Sequence, residues 1–289
     1  MNLTRLAHRI EVIYHSGAQV NLLYPYAALK PVNVLGTQEI LRLASLGKVK
    51  PVHYVSTTAV FLLADHHNPD PIAEDSPPGR FEDLKIGYAQ SKWVAEKLIA
   101  TAHARGIPGS MYRPSRISGH SQTGVWNTSD FACRMLKGCI QMGIAPQQHI
   151  TVENWAPVDY VSKAIVQLSQ QQTSRGKAFH LINRQPICWS DLVDWLCAFG
   201  YPLRKISYAQ WRKEFCERTA ENALSPLMPI FREIDTLAEP QQFSCGNTLA
   251  GLEGTAIICP PVDTILLHTY FAYFLRSRFL DPPPRSAKL

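Results

Sequence analysis

The sequence predicts an α/β protein in which a parallel sheet is followed by a mainly helical C-terminal region. Two patterns carry this prediction. Short runs of β-branched and aromatic residues alternate with stretches of helical periodicity as far as about residue 120, and helical patterns predominate after about residue 185. The chain has 289 residues, of which 46% are hydrophobic and 18% charged, so it can bury a substantial core.

The first half of the chain has the order strand, helix, strand, helix, strand. Gly47 ends the first of these helices, and Gly106 with Pro108 ends the second. The predicted strands cover residues 11–15, 51–56 and 110–113, the helices cover 26–46 and 88–104, and a proline-rich loop covers 65–81. This order favours a parallel sheet.

The second half is predicted to be mainly helical. Helices are expected over residues 131–142, 160–171, 190–199 and 262–280, with one further strand over 177–182. Ser190 is expected to be the N-cap of the helix that begins there. The pattern predicts two parts, a sheet-containing domain over residues 1–184 and a mainly helical region over residues 185–289.

Composition and charge exclude several classes of protein. The seven cysteines form no C-x-x-C pair and the N-terminal residues contain no apolar signal core, so we expect a cytoplasmic protein with reduced thiols. The apolar stretch 265–275 is interrupted by His268 and is shorter than the roughly 20 residues of a membrane span. The net charge of +6 is spread along the chain, which favours a basic surface or an anionic cofactor over a nucleic-acid partner.

The motif Tyr-x-x-x-Lys carries the candidate chemistry and occurs three times. It places a phenol and an ammonium one turn apart on a helix. The cation is expected to favour the phenolate, so that the tyrosine can pass a proton to a carbonyl oxygen near neutral pH. Pro202 breaks the helix that a pair formed by Tyr201 and Lys205 would need. Nothing upstream of Tyr26 and Lys30 supplies a hydroxyl partner.

The third copy, Tyr88 and Lys92, has a suitable context. It lies on the predicted helix 88–104 and follows the strand end Ser56-Thr57-Thr58. In a parallel sheet the carboxyl ends of the strands and the starts of the following helices meet at the ligand crevice. A strand hydroxyl and the Tyr/Lys pair are therefore expected to converge on one oxygen atom.

These segments resemble the extended short-chain dehydrogenases/reductases. The closer resemblance is to the thioester reductase domains of nonribosomal peptide and polyketide synthetases and of carboxylic acid reductases. It covers nearly the whole chain through HYVSTTAVF at 53–61, GYAQSKWVAE at 87–96, and the segments 12–18, 33–37, 112–119, 155–161, 247–252 and 266–274. The resemblance implies a Rossmann-like sheet, incomplete in this sequence, and a C-terminal region for substrate and carrier protein.

The implied reaction is NADPH-dependent reduction of a thioester on the phosphopantetheine arm of a carrier protein, to an aldehyde or, after a second hydride, an alcohol. By this resemblance Tyr88 donates the proton. Lys92 would hold the nicotinamide ribose and tune Tyr88, and Thr57 would hydrogen-bond the substrate oxygen.

The resemblance also implies a cofactor-binding set. Gly17 and Ala18 would lie under the adenosine half of the cofactor and Pro114 near its nicotinamide. Asn33 would fix the backbone beside the site, and Ser115 stands where the family often has glycine. Turn and capping roles are the alternative for Gly17, Asn33 and Pro114. The full set is Gly17, Ala18, Asn33, Ser56, Tyr88, Lys92, Pro114 and Ser115.

One part of the family pattern is absent from the sequence. The family begins with a strand, a glycine-rich turn and a helix whose N-terminus binds the cofactor pyrophosphate, but no G-x-G-x-x-G motif precedes Gly17. The sequence is therefore expected to be a fragment with little activity alone, which needs a complementary N-terminal reductase fragment. The strand around Val12-Ile13-Tyr14 is expected to form an exposed apolar edge.

Two classes of function stay open from the sequence. One is an enzyme, either of the thioester reductase type or of a fatty-acyl-CoA reductase type. The other is a non-catalytic remnant that binds a carrier protein or a complementary fragment. Rival chemistries fit less well: the segment 119–124 misses the G-x-S-x-G of serine hydrolases, and Asp65, His66, His67 and Asp70 lack a further metal ligand at suitable spacing.

Overall fold

A computed structural model describes residues 3–61, 70–147, 152–218, 221–233 and 241–284. It divides into two compact units. Unit 1 comprises Met1–Arg116, Tyr160–Ile182 and Gln241–Ile258, and unit 2 comprises Ile117–Asp159, Asn183–Pro240 and Cys259–Leu289. Each unit is thus discontinuous in sequence, whereas the expected division has a single boundary after residue 184. The assignment of a cofactor part and a substrate part to the chain stays a prediction.

The described helices and strands alternate along much of the chain. The helices are α1 (Leu3–Arg9), α2 (Tyr26–Lys30), α3 (Gly36–Ser45), α4 (Gly87–Ala104), α5 (Phe131–Met142), α6 (Val158–Ser169), α7 (Trp189–Phe199), α8 (Tyr208–Glu217), α9 (Met228–Glu233), α10 (Gly246–Leu252) and α11 (Thr264–Arg276). The strands are β1 (Ile13–His15), β2 (Val52–Val55), β3 (Gly109–Pro114), β4 (Arg116–Ser118), β5 (Ile144–Gln147), β6 (Val152–Glu153), β7 (Trp155–Pro157), β8 (Ala178–Leu181), β9 (Ile187–Cys188) and β10 (Arg204–Ser207).

Unit 1 contains a four-stranded parallel sheet in the order β1-β2-β3-β8, which confirms the predicted parallel α/β fold. Alternate strand residues pack against α3 and α4 because successive side chains of a strand point to opposite faces. The resulting core contains Ile13, Leu43, Ala44, Val52, Tyr54, Ala95, Ile99 and Met111. Parallel pairing brings the carboxyl ends of all four strands to one edge of the sheet, where ligands bind in open α/β folds.

Strand β1 lies at the end of this sheet and pairs with β2 alone among the described strands. Ile13 is buried, whereas its neighbours Val12 and Tyr14 are 41% and 45% exposed. The prediction of an exposed apolar edge at this strand is confirmed within the described residues.

Unit 2 packs α5, α7, α8 and α11 around an aromatic core. Trp126 contacts Trp155, Tyr270 and Phe274 at ring-centroid distances of 5.0, 4.8 and 5.9 Å. Aromatic side chains bury large areas, and here they pack with aliphatic residues such as Leu136, Leu192 and Leu266. The predicted helix 131–142 has the bounds of α5, and helix 262–280 is shortened to α11, where Asp263 accepts a hydrogen bond from the Leu266 amide.

Two local predictions need correction. Ser190 is not an N-cap, because α7 begins at Trp189; the Ser190 hydroxyl instead accepts a hydrogen bond from Lys205 Nζ over 3.2 Å. The helix expected over 26–46 is interrupted by a π-helical turn, Pro31–Leu35. Proline has no amide hydrogen and disturbs the regular bonding of a helix, which accounts for the change at this position.

The structure holds no metal-type cluster of three His, Cys, Asp or Glu residues in the ranges that it describes. Asp65, His66 and His67 of the rejected metal candidate lie outside those ranges. Among the described helices, none is both long and apolar enough to cross a membrane.

Candidate active site

The start of α4 places Tyr88 and Lys92 on one face of a helix in unit 1. Gly87 is the first residue of α4, and a Cβ there would lie 2.4 Å from the Tyr24 carbonyl oxygen and 2.6 Å from the Tyr26 amide nitrogen. Only glycine allows the two backbones to approach so closely. Gly87 therefore anchors the helix start immediately before Tyr88.

Lys92 is 2% exposed and lies against the end of β2. Its Nζ donates a hydrogen bond of 2.7 Å to the Val55 carbonyl oxygen and lies 4.2 Å from the centroid of the Tyr54 ring. Burial lowers the pKa of Lys92 to about 7, while the nearby carboxylate of Glu96 acts in the opposite direction. An ammonium has three donors, so two stay available for other groups after the bond to Val55.

Burial raises the pKa of the Tyr88 phenol to about 12. In the protein alone the pKa of Tyr88 is thus raised rather than lowered, because loss of hydration on burial disfavours the phenolate. The neutral phenol is nevertheless the form that can donate a proton to a substrate oxygen.

The hydroxyls of Ser56 and Thr57 have different surroundings. Ser56 is buried, and its Oγ donates a hydrogen bond of 2.6 Å to Glu96 Oε2. Thr57 is partly exposed, and its Oγ1 accepts a hydrogen bond of 3.1 Å from the Ala59 amide, so its own proton can be donated elsewhere. This difference favours Thr57 as the hydroxyl that donates to the substrate oxygen. Ser56 could donate to a cofactor only by breaking its bond to Glu96, although its Oγ can still accept a hydrogen bond.

Asn33 ties the loop after β1 to α4. It lies on the π-helical turn and is 2% exposed. Its Nδ2 donates to Ser91 Oγ over 2.9 Å, and its Oδ1 accepts from the Gln19 amide over 2.7 Å. Ser91 Oγ in turn donates to the Tyr88 carbonyl over 2.8 Å. Asn33 thus holds the backbone at Gln19 and contacts the first turns of α4 through Ser91. Its predicted role beside the cofactor stays a prediction.

The remaining predicted cofactor residues lie at strand ends of the same sheet. Gly17 follows β1 and is exposed, and nothing comes within 4 Å of a Cβ placed on it; Ala18 comes next. Pro114 is the buried last residue of β3, and the amide of Ser115 donates to the Leu181 carbonyl over 3.1 Å. Parallel pairing brings these positions to the same sheet edge as Thr57. Their contact with a cofactor stays a prediction.

Three buried polar residues near the site are absent from the predicted set. Glu96 and Arg113 form an ion pair, discussed below. His15, at the end of β1, bonds Thr37 Oγ1 through Nε2 at 2.8 Å; since Thr37 itself donates to Asn33, this nitrogen carries the proton. Burial and the nearby Lys92 lower the pKa of His15 to about 4, so His15 is neutral at pH 7. Glu96 could have been found from its spacing, four residues after Lys92.

Comparison with known proteins agrees with this geometry. A family model described as "Male sterility protein", of NAD-binding type, matches residues 1–165. The isonitrile lipopeptide synthase of Streptomyces coeruleorubidus is 33% identical over 283 residues, covering 94% of this chain and 19% of that protein. L-2-aminoadipate reductase of Saccharomyces cerevisiae is 32% identical over 313 residues, covering 98% of this chain and 22% of that protein. The chain thus spans a small part of these relatives.

Among solved structures, the terminal R domain of the myxalamid PKS-NRPS biosynthetic pathway superposes with a TM-score of 0.91. It is 44% identical, and the match covers 98% of this chain and 72% of that one. The reductase (R) domain of a nonribosomal peptide synthetase from Mycobacterium tuberculosis gives a TM-score of 0.75 at 25% identity, covering 96% and 72%.

The parallel sheet, the Tyr88/Lys92 pair at its carboxyl edge and these similarities lead to one assignment. The chain belongs to the Male sterility protein family of NAD-binding reductases, with the extended short-chain dehydrogenase/reductase fold found in the terminal reductase domains of nonribosomal peptide synthetases.

Proposed function

We propose that the chain is the catalytic and substrate-binding part of an NADPH-dependent reductase of carrier-bound acyl or peptidyl thioesters. The observation that carries the proposal is the position of Thr57, Tyr88 and Lys92 at one edge of a parallel sheet, in a chain 44% identical to a terminal R domain. The product is an aldehyde, or an alcohol after a second round.

The residues of this chain divide the chemistry among them. The cofactor, when bound, supplies the hydride that the thioester carbonyl carbon accepts. Tyr88 donates its phenolic proton to the carbonyl oxygen, and Thr57 orients that oxygen by a hydrogen bond. The hemithioacetal so formed breaks its C–S bond, and the carrier thiol leaves with a proton as the aldehyde is released. Reprotonation of Tyr88 then restores the site.

The residues present fit the ribose side of a nicotinamide cofactor. Lys92 keeps two ammonium donors after its bond to Val55, which suits the two hydroxyls of a ribose. The open space beside Gly17 leaves room for a sugar or base at the end of β1. A preference for NADPH over NADH follows from the resemblance and belongs to this proposal.

The sequence contains no G-x-G-x-x-G motif before Gly17, the motif that binds the cofactor pyrophosphate in dinucleotide-binding folds. We propose that a glycine-rich strand–turn–helix segment, in the same polypeptide or another, pairs its strand with β1. The exposed Val12 and Tyr14 on that edge support this pairing, because sheet edges accept parallel strands readily.

The direct test is NADPH consumption with three thioesters that carry the same acyl group, one on a carrier protein, one on free phosphopantetheine and one on coenzyme A. The chain is assayed alone and with a segment that supplies the glycine-rich turn. We expect weak NADPH binding alone, because several charge-assisted hydrogen bonds of roughly 1.5–3 kcal/mol each are missing.

Each outcome of this test has a defined meaning. Turnover of the carrier-bound thioester at the highest kcat/KM, in the presence of the segment, supports the proposal. Preference for the coenzyme A thioester would favour the fatty-acyl-CoA type. Binding of the carrier protein without NADPH consumption, with the segment present, would favour the non-catalytic alternative.

A further inference from the structure

A buried ion pair adjoins the candidate active site within unit 1. Glu96 lies one turn after Lys92 on α4, and Arg113 precedes Pro114 at the end of β3. Their side chains are 2% and 5% exposed. Arg113 Nε donates to Glu96 Oε1 over 3.0 Å, and Arg113 Nη2 donates to the same oxygen.

The other carboxylate oxygen of Glu96 holds the end of β2. Ser56 Oγ donates to Glu96 Oε2 over 2.6 Å. Ser56 stands between Val55, whose carbonyl accepts the hydrogen bond of Lys92, and Thr57, the proposed substrate-binding hydroxyl. Glu96 therefore acts on Lys92 in two ways, through the backbone at the end of β2 and through its negative charge.

Among the described side chains near Lys92, Glu96 is the one that carries a negative charge. Besides Arg113 on β3, the ion-pair partner of Glu96, the other titratable side chains near Lys92 and Glu96 are His15 on β1, Tyr54 on β2 and Tyr88 on α4. His180 on β8 lies behind Arg113, with Nε2 3.4 Å from Arg113 Nη1, and burial lowers its pKa to about 4. His15 is neutral, and burial raises the pKa of both tyrosines, so none of these groups supplies a negative charge at pH 7. Among the described residues, the carboxylate of Glu96 is the one that favours the ammonium form of Lys92.

We propose that Glu96 is a positioning residue of the reduction: its carboxylate holds Ser56 at the end of β2, is paired with Arg113 on β3, and places a negative charge one helical turn from the Lys92 ammonium. The inference rests on the proposed function, in which the Lys92 ammonium binds the ribose of the cofactor and tunes Tyr88. It adds to that function a residue outside the Thr57, Tyr88 and Lys92 set.

Arg113 offsets part of the Glu96 charge and gives the proposal its sharpest test. Arg113 Nη1 also donates to the Glu74 carbonyl over 3.0 Å, and the guanidinium carbon lies 4.8 Å from the centroid of the Phe61 ring. Removing the Glu96 charge should lower the pKa of Lys92, whereas removing the Arg113 charge should raise it. A merely structural role for the pair would not predict shifts of opposite sign.

The experiment is an NMR titration of the full 289-residue chain labelled with [13Cε]lysine. Loss of one resonance in Lys92→Arg assigns the Lys92 signal. We expect Glu96→Gln to lower the pKa of Lys92 by about one pH unit. Arg113→Gln should raise it. Glu39→Gln is the matched control, because Glu39 forms an exposed ion pair with Arg42 and should leave Lys92 unchanged.

An unchanged Lys92 pKa in Glu96→Gln, or shifts of the same sign in both variants, would overturn the proposal. Circular dichroism checks that each variant is folded. If Glu96→Gln or Arg113→Gln unfolds, the double variant is titrated instead, because removing both charges leaves neither of them buried without a partner. A Lys92 pKa below that of the unsubstituted chain then supports the proposal, and an equal or higher value overturns it. The titration needs no cofactor or substrate, so failure of the proposed reduction is detected separately, by the thioester assay.

Discussion

Lys92 Nζ donates a hydrogen bond of 2.7 Å to the carbonyl oxygen of Val55, joining helix α4 to the end of strand β2. The bond therefore links the helix that carries Tyr88 to a strand end that lies two residues before Thr57. The bond also explains why the interior accommodates a lysine that is only 2% exposed. One of its donors is satisfied, and its charge lies over the Tyr54 ring.

The proton donor is tested by a pair of tyrosine substitutions. With the cofactor-binding segment supplied, Tyr88→Phe should lower kcat for thioester reduction by at least about 100-fold, because a positioned general acid contributes roughly 10²–10⁴-fold. Tyr26→Phe is the matched control: Tyr26 belongs to another Tyr-x-x-x-Lys motif, and its ring contact with Phe81 survives the change. Equal rates in the two variants would contradict the assignment of Tyr88.

Lys92 should give the chain a specific pH dependence of stability. Its pKa falls from 10.5 to about 7 on folding, so between these values the unfolded chain binds more protons than the folded one. The free energy of unfolding should therefore rise with pH from about 7 to about 10 through this group. Lys92→Met, which keeps the bulk, should lack this increase. Urea unfolding of both proteins at pH 7 and pH 9.5 measures the difference; parallel pH curves would show that Lys92 has a normal pKa.

Gly87 should tolerate no side chain. The Cβ of Gly87→Ala would lie 2.4 Å from the Tyr24 carbonyl oxygen, so the start of α4 has to move; we expect a loss of about 1–3 kcal/mol in the free energy of unfolding. Gly36→Ala is the matched control. Gly36 is helical at φ −57°, and its nearest neighbour, the Pro31 carbonyl oxygen, is 4.0 Å from the added Cβ. That change should stabilise the helix by up to about 1 kcal/mol. Denaturant unfolding measures the change in the free energy of unfolding for both variants. Equal changes would disprove the close approach at Gly87.

The β1 edge should cause self-association of the chain on its own. Exposed apolar edges pair with other strands, and a lysine on the edge prevents this. Val12→Lys should therefore shift the chain toward monomer in size-exclusion chromatography across a concentration series. Val166→Lys, at an apolar site on α6 that is 49% exposed, should leave association unchanged. Loss of association in both variants would point to general hydrophobicity rather than to the edge.

Much of this protein was predictable from local patterns in the sequence. Short runs of β-branched and aromatic residues predicted strands β1, β2, β3 and β8. Spacing of period 3.6, with glycine and proline at the stops, predicted helices α4 and α5, because these signals act within a few residues. The choice of Tyr88 and Lys92 among three similar motifs also followed from local context. A strand that ends in hydroxyl residues precedes this motif, and no proline lies within it.

The tertiary structure alone decided how that site is supported. Ser56, Glu96 and Arg113 lie far apart in sequence and meet only because β2, β3 and α4 pack together, so no local spacing reveals the bond between Ser56 and Glu96. The raised pKa of Tyr88 and the lowered pKa of Lys92 have the same origin, since loss of hydration depends on everything packed around a group. Sequence determined which groups are present and on which elements; burial and long-range contacts determined their protonation and their partners.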